Sequence, residues 1–522
     1  MTEEQDETGS EASGAASLVN GSALNGSALN GSAPTGSASE PPPPPLASGL
    51  KPRVIGLAAA GAVGGFLFGF DSSVVNGAVD AIQSEFDLTS VVTGFAVASA
   101  LLGCALGAEL AGRLADRFGR IPVMLIGAIL FLVSSIGSGS AFGVIDLIVW
   151  RVIGGVGIGI ASVVSPAYIA EISPRLLRGR LASLQQLAIV FGIFAALLSD
   201  ALFANAAGGA GEPFWFGIDA WRWMFLACVV PSVIYGALAL TLPESPRFLV
   251  KAGKEDDARR VLTRIQPGEE DRGIRDIRAS MQQDALGKRK GALRGRVFGL
   301  QGIVWIGILL SVFQQFVGIN VIFYYSTTLW QAVGFDESDS FTISVFTSVT
   351  NIVVTFVAIA LVDRIGRRPL LLTGSAGMAV ALATMAVAFA SAVTVDGELS
   401  LPGAWGPIAL VAANLFVVFF GFSWGPLVWV LLGEIFPGRI RARALGLAAA
   451  AQWIANFLVT VTFPVLANFS LFFTYGMYAT FAALSFVFVF WKVPETNGMS
   501  LEESETVFPA KGSARRPAVE SG

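Results

Sequence analysis

From residue 54 onward the chain contains twelve predominantly apolar stretches, each about as long as the roughly 20 residues a helix needs to cross a bilayer core. They run over 54–79, 91–111, 121–140, 143–166, 181–204 and 222–242, then 297–330, 341–362, 369–394, 404–432, 443–468 and 470–492. A charged segment, 243–296, separates the two sets of six. Backbone groups in lipid must be satisfied within their own segment, so spans of this composition are helices. The expected fold class is therefore an all-α membrane protein of twelve transmembrane helices in two six-helix halves. Only 14% of residues are charged, against about 25% in ordinary soluble domains, which excludes a typical soluble enzyme.

Charge placement orients the bundle. Of 34 Lys and Arg residues, 32 fall before span 1, in the even-to-odd loops, in the central segment or at the C-terminal end. The odd-to-even loops 80–90, 331–340 and 395–403 carry acids but no Lys or Arg. The positive-inside rule thus predicts a cell-membrane protein with both termini and the central segment cytoplasmic. Residues 1–50 are Ser/Gly/Ala/Asn-rich, repeat Leu-Asn-Gly-Ser-Ala and end near five prolines, the composition of a disordered tail rather than a signal peptide. The expected organisation is tail 1–50, N-terminal bundle 51–242, helical linker 243–296, C-terminal bundle 297–492 and tail 493–522. The net charge of −4 suggests no nucleic-acid partner.

The two sets of six echo each other. Asp116-Arg117-Phe118-Gly119-Arg120 recurs as Asp363-Arg364-Ile365-Gly366-Arg367. Glu171-Ile172-Ser173-Pro174 recurs as Glu434-Ile435-Phe436-Pro437, and Pro243-Glu244 as Pro494-Glu495. Repeats of this kind belong to transporters whose halves meet at a central site near the midplane.

These motifs carry a resemblance. Together with Pro243-Glu244-Ser245-Pro246-Arg247, Gln314-Gln315-Phe316-Val317-Gly318-Ile319-Asn320 and Pro494-Glu495-Thr496-Asn497-Gly498, they make residues 54–498 resemble the sugar porters of the major facilitator superfamily. Asn497 stands where that family usually has lysine. The Gly69-Phe70-Asp71-Ser72-Ser73 run is most similar to that of bacterial proton-coupled glucose carriers.

An ionisable group inside a membrane demands a reason. Asp71 in span 1 and Arg151 in span 4 lie at similar depth, so they are expected to meet as a proton-coupling pair; a static ion pair is the bland alternative. Histidine is absent, and on the span limits above no other carboxylate reaches that depth, which leaves Asp71 as the expected carrier. Sugar recognition needs amides, with donors and acceptors together, and an aromatic face. The resemblance puts Gln186, Gln314, Gln315, Asn320, Trp424 and Gln452 at sugar-contacting positions. Asn351, Phe68, Tyr324 and Trp453 are secondary candidates, and any single buried amide could instead tie two helices together. Gly318, Gly421, Gly425 and Pro426 mark helices that can bend. The glycine row Gly154, Gly155, Gly157 and Gly159 reads as close helix packing, since no strand precedes it. Cys104 and Cys228 read as buried fillers.

Asp116, Arg117, Glu171, Arg178, Asp363, Arg367, Glu434 and Arg441 are the expected cytoplasmic gate, with ion pairs crossing between the halves. The linker's family role is a latch that moves with that gate. The reading is thus an importer of a hexose, D-glucose above others, together with a proton. Its partners are a monosaccharide, a proton and the bilayer, with no cofactor or metal, acting as a monomer. A uniporter of the same fold and a non-transporting sugar receptor are the rivals.

Overall fold

The structure, a computed structural model, describes residues 52–496 apart from 174–177, 266, 291–292, 294–297, 396–397 and 437–439. The proposed disordered tail and the residues from 497 onward lie outside the described residues.

Twelve helices are long and apolar enough to cross a membrane. Spans 1 to 6 are Val54–Gly77, Ser90–Phe118, Arg120–Gly139, Val144–Ile172, Leu184–Ala207 and Ala220–Thr241. Spans 7 to 12 are Gly302–Tyr324, Glu337–Leu361, Arg367–Ala390, Trp405–Ile435, Arg443–Phe469 and Leu471–Lys492. One small departure from an all-helical chain lies between spans 9 and 10, where Val393–Val395 pairs antiparallel with Glu398–Ser400.

Glycine lets the helices approach as far as their backbones allow. A Cβ on Gly155 or Gly159 of span 4 would run into the Ala100 or Cys104 carbonyl of span 2. Lipid gives no hydrophobic drive for association, so such close van der Waals packing is what joins membrane helices.

Three spans depart from regular α-helix, span 1 at its end and spans 7 and 10 along their length. Span 1 is helical to Val74 and then tightens to a one-turn 3-10 segment, Val75–Gly77. Span 7 breaks between Phe316 and Ile319, at Gly318 with φ +83°. Span 10 breaks between Gly421 and Trp424. Non-helical backbone at membrane depth is tolerated where protein groups satisfy it.

Between the sets of six, the charged segment forms helices Pro246–Lys251, Glu255–Ile265 and Glu270–Lys290. Ser245 caps the first, accepting from the Phe248 backbone N–H at 3.4 Å. The second buries Ala258, Val261, Leu262 and Ile265, one face of a helix at the expected three- and four-residue spacing.

Candidate functional site

At the end of the bundle that carries the repeated motifs, the two halves build the same cluster twice. Gly119 and Gly366 adopt φ +99° and +97°, a conformation side chains resist, and so turn the chain sharply into spans 3 and 9. Glu244 then accepts from the backbone N–H groups of Arg120 (2.9 Å) and Ile121 (3.2 Å). Glu495 does the same for Arg367 and Arg368, both at 3.0 Å. Each carboxylate sits where a helix N-terminus offers unpaired donors and positive potential.

The turn also aims the arginine that follows it inward. Arg120 donates from Nε and Nη2 to both oxygens of Glu171, at 2.9 and 2.8 Å. Arg367 Nη2 donates to Glu434 at 3.1 Å, whose other oxygen accepts from Thr496 Oγ1 at 2.6 Å. Both pairs lie within a half, whereas the motifs led to an expectation of pairs crossing between the halves when the inner side is shut. Arg117, expected in the gate, lies exposed with its guanidinium over the Phe118 ring. The physical reason is helical geometry: Arg117 is still on span 2's outer face, whereas Arg120 begins span 3 after the turn. Asp116 pairs with Lys251 of the linker at 3.0 Å. The side chains of Arg178, Asp363 and Arg441 lie outside the described residues. Arg120, outside the expected gate set, is the counterpart of Arg367 in the repeat, and the repeat is the signal that points to it.

In the membrane, Asp71 and Arg151 meet. Arg151 Nη1 donates to Asp71 Oδ1 at 2.9 Å, with the two residues 4% and 6% exposed. The guanidinium also lies over the Phe225 ring, 5.5 Å from its centre. Beside it is a cavity of about 10 Å³ lined by Val75, Val79 and Thr93, room for roughly one water. Asp71 is not alone at this depth. Asp200 of span 5 is fully buried, seven residues from that span's end at Ala207, while Asp71 is six from Gly77. The sequence reading put the end of span 5 too early and so left Asp200 out.

The amides of span 7 form a chain. Asn320 donates to Gln315 Oε1 at 2.6 Å, and Gln315 donates to Gln314 Oε1 at 3.4 Å. Gln314 donates to the carbonyls of Trp424 (2.9 Å) and Gly425 (3.2 Å). The Gln314 side chain thus ties span 7 to the start of the second helix of span 10. Trp424 is fully buried, its indole N–H donating to Ser375 Oγ at 2.8 Å, which makes it an anchor for span 10. Gln452 is partly exposed with its Oε1 unpartnered, and Gln186 is half-buried. Asn351 is buried near Gly421, where a Cβ would come 3.4 Å from its oxygen.

Two contacts tie the proton pair to this region. Tyr324 lies beside Ser72, the neighbour of Asp71, and beside Asn456 of span 11. Phe68 packs edge-on against Trp453 with ring centres 5.7 Å apart. A larger cavity lies elsewhere. About 360 Å³ in volume, it is an apolar groove between spans 9 and 10 on the bundle's surface, beside exposed Val380 and Val411, with nothing to orient a polyol.

At the end carrying the acidic loops, hydrogen bonds join the halves. Thr327 donates from N (3.1 Å) and Oγ1 (2.6 Å) to Asn76, and Thr328 Oγ1 to Asp80 at 2.9 Å. The Ala210 N–H donates to Glu337 at 2.8 Å.

A family model described as "Sugar (and other) transporter" matches residues 57–508. The chain belongs to this sugar transporter family. Among its relatives in the family, a glucose transport protein of Synechocystis sp. is 53% identical over 452 residues, covering 86% of this chain and 96% of that protein. The D-xylose-proton symporter of Escherichia coli K12 is 36% identical over 480 residues, covering 85% and 94%. Among solved structures, the xylose transporter XylE from E. coli, in a partially occluded inward-open conformation, matches with TM-score 0.75 at 34% identity. That match covers 86% of this chain and 100% of the other. The fold of this sugar transporter is that of the major facilitator superfamily.

Proposed function

We propose that this chain imports D-glucose together with a proton by alternating access. The observation that carries the reading is the buried Asp71–Arg151 pair, one residue from Ser72, which lies beside Tyr324 of the other half. A proton on Asp71 cancels the charge that holds Arg151, so span 1 can shift against span 4. Ser72 passes that shift to Tyr324 in span 7, next to the amide chain that would receive sugar hydroxyls. Gln186, Gln315, Asn320 and Gln452 are the side chains we assign to the sugar, with Phe68, Tyr324 and Trp453 beside it. Glucose is preferred to a pentose because the glucose transport protein shares more sequence with this chain than the xylose symporter does.

The charge bias of the loops supports cytoplasmic termini, so the acidic-loop end is outer and the motif end inner. With hydrogen bonds gathered at the outer end, we read this conformation as inward-facing. The pairs Arg120–Glu171 and Arg367–Glu434 would then stiffen each half so that it rocks as one body. Each chain carries both halves of the site, which supports a monomer as the working unit.

The test is uptake of radiolabelled glucose and xylose into proteoliposomes, with and without an imposed proton gradient. The reading expects glucose accumulation above equilibrium that a protonophore collapses. Uptake that only ever equilibrates would make the protein a uniporter, and xylose accumulation without glucose would overturn the substrate.

A further inference from the structure

Asp200 is a buried carboxylate that this transport scheme does not use. It is 0% exposed, and its Oδ2 accepts from the Gly77 backbone N–H at 3.3 Å. Its Oδ1 has no hydrogen-bond partner among the described residues. The packing around it is tight: a Cβ on Gly77 would come 2.7 Å from the Asp200 Cβ and 2.8 Å from the Met224 sulfur.

The place it holds is specific. Gly77 closes the 3-10 turn Val75–Gly77 at the outer end of span 1. Asn76, inside that turn, is the residue that Thr327 grips from the other half. Asp200 and Thr327 therefore hold one three-residue turn from opposite sides, one from its own half and one across the gate.

The charges facing Asp200 are accounted for element by element. From span 6 come Met224 and the Cys228 thiol, with the Asp71–Arg151 pair beyond the thiol. At the outer rim, Arg222 is bound to Glu85 and to the Ala141 carbonyl, both at 2.5 Å. Span 8 brings Glu337 and Asp339 and the turn after span 1 brings Asp80, all acids. No cation among them is uncommitted. A carboxylate sealed from water with no cation beside it is strongly disfavoured, so the neutral acid is the form that fits the closed gate.

We propose that Asp200 is a proton-dependent positioning residue of the outer gate, deepening the symport reading above. Neutral, it holds the span 1 turn in the closed position. When the gate opens and water reaches it, the proton leaves to the outer solution, and it is taken up again on closure. This proton does not cross the membrane, unlike the one assigned to Asp71.

The experiment uses the full chain in proteoliposomes, spin-labelled at Ser84 and Ala332, exposed positions at the outer ends of opposite halves. An Asp80→Asn background removes the gate carboxylate that accepts from Thr328. The inter-label distance, read between pH 5 and 8, should lengthen as pH rises. Asp200→Asn should hold it at the short value throughout, and Asp200→Glu should restore the pH response. The proton-to-sugar ratio should be the same with and without Asp200→Asn. A pH response that survives Asp200→Asn, a distance that never responds in the background protein, or a lowered ratio each overturns the proposal. Failure of symport would show separately, as wild-type uptake that never exceeds equilibrium while the label distances still respond to pH.

Discussion

Tyr324 of span 7 lies beside Ser72 of span 1, so the two halves meet one residue along the chain from Asp71. A change at the ion pair therefore has a short route to the amide chain, through side chains already in contact. Coupling needs an element with two arrangements that both ligands bias, and span 1 between Arg151 and Tyr324 is placed to be that element.

Asp71→Asn should abolish accumulation while leaving sugar binding in place. One proton moving down 100 mV supplies about 2.3 kcal/mol, enough for roughly 50-fold accumulation of a neutral sugar. The amide keeps the shape of the side chain but releases no proton. Uptake into vesicles under an imposed gradient, with a protonophore control, reads the outcome. Protonophore-sensitive accumulation by the variant would remove Asp71 as carrier.

Gln315→Ala and Asn320→Ala should each weaken glucose binding by about 1–3 kcal/mol, since a sugar hydroxyl loses a buried partner. Their mutual bond at 2.6 Å makes the two effects non-additive. Calorimetry on both single variants and the double decides it. Affinities within twofold of wild type would leave these amides as ties between helices.

At the inner end, Arg120 and Glu171 should couple by about 1–3 kcal/mol in a double-mutant cycle of thermal stability, as charge-assisted partners do. Glu171 and Arg367, in different halves, should show no coupling. Coupling of Glu171 to Arg367 instead would restore the inter-half gate expected from the motifs.

Asp80 gives the outer gate a pH dependence. Burial against the other half, with Glu337 nearby and despite its bond from Thr328, pushes its carboxyl from 3.8 up to about 6. An open gate exposes it and returns it toward its ordinary value. Protonation thus favours closure, fully below about pH 4, with the bias lost as pH rises through about 6. The spin-label distance between Ser84 and Ala332 should shorten on acidification across that window. Asp80→Asn should remove that part of the response; an unchanged profile would acquit Asp80.

Gly318→Ala should destabilise the protein by more than 1 kcal/mol or so. The backbone there has φ +83°, and a Cβ would come 2.7 Å from the Tyr478 ring. Wild-type melting and glucose binding in this variant would show that the span 7 break tolerates a side chain.

The sequence by itself determined the number of spans, because twenty-residue apolar stretches have one stable form in lipid. It also determined the duplicated motifs and the common depth of Asp71 and Arg151, since depth follows from a fixed rise per residue. Only the tertiary structure decided which arginine faces which glutamate. Arg117 and Arg120 are three residues apart, and the left-handed turn at Gly119 sends one to the surface and the other to Glu171. Asp200 too was left to the fold. Its span ends later than hydropathy suggested, and the only described hydrogen bond of its side chain comes from Gly77, 123 residues away in sequence. Periodicity reports the face and depth of a residue along its own helix; contacts between helices depend on packing that no local pattern encodes.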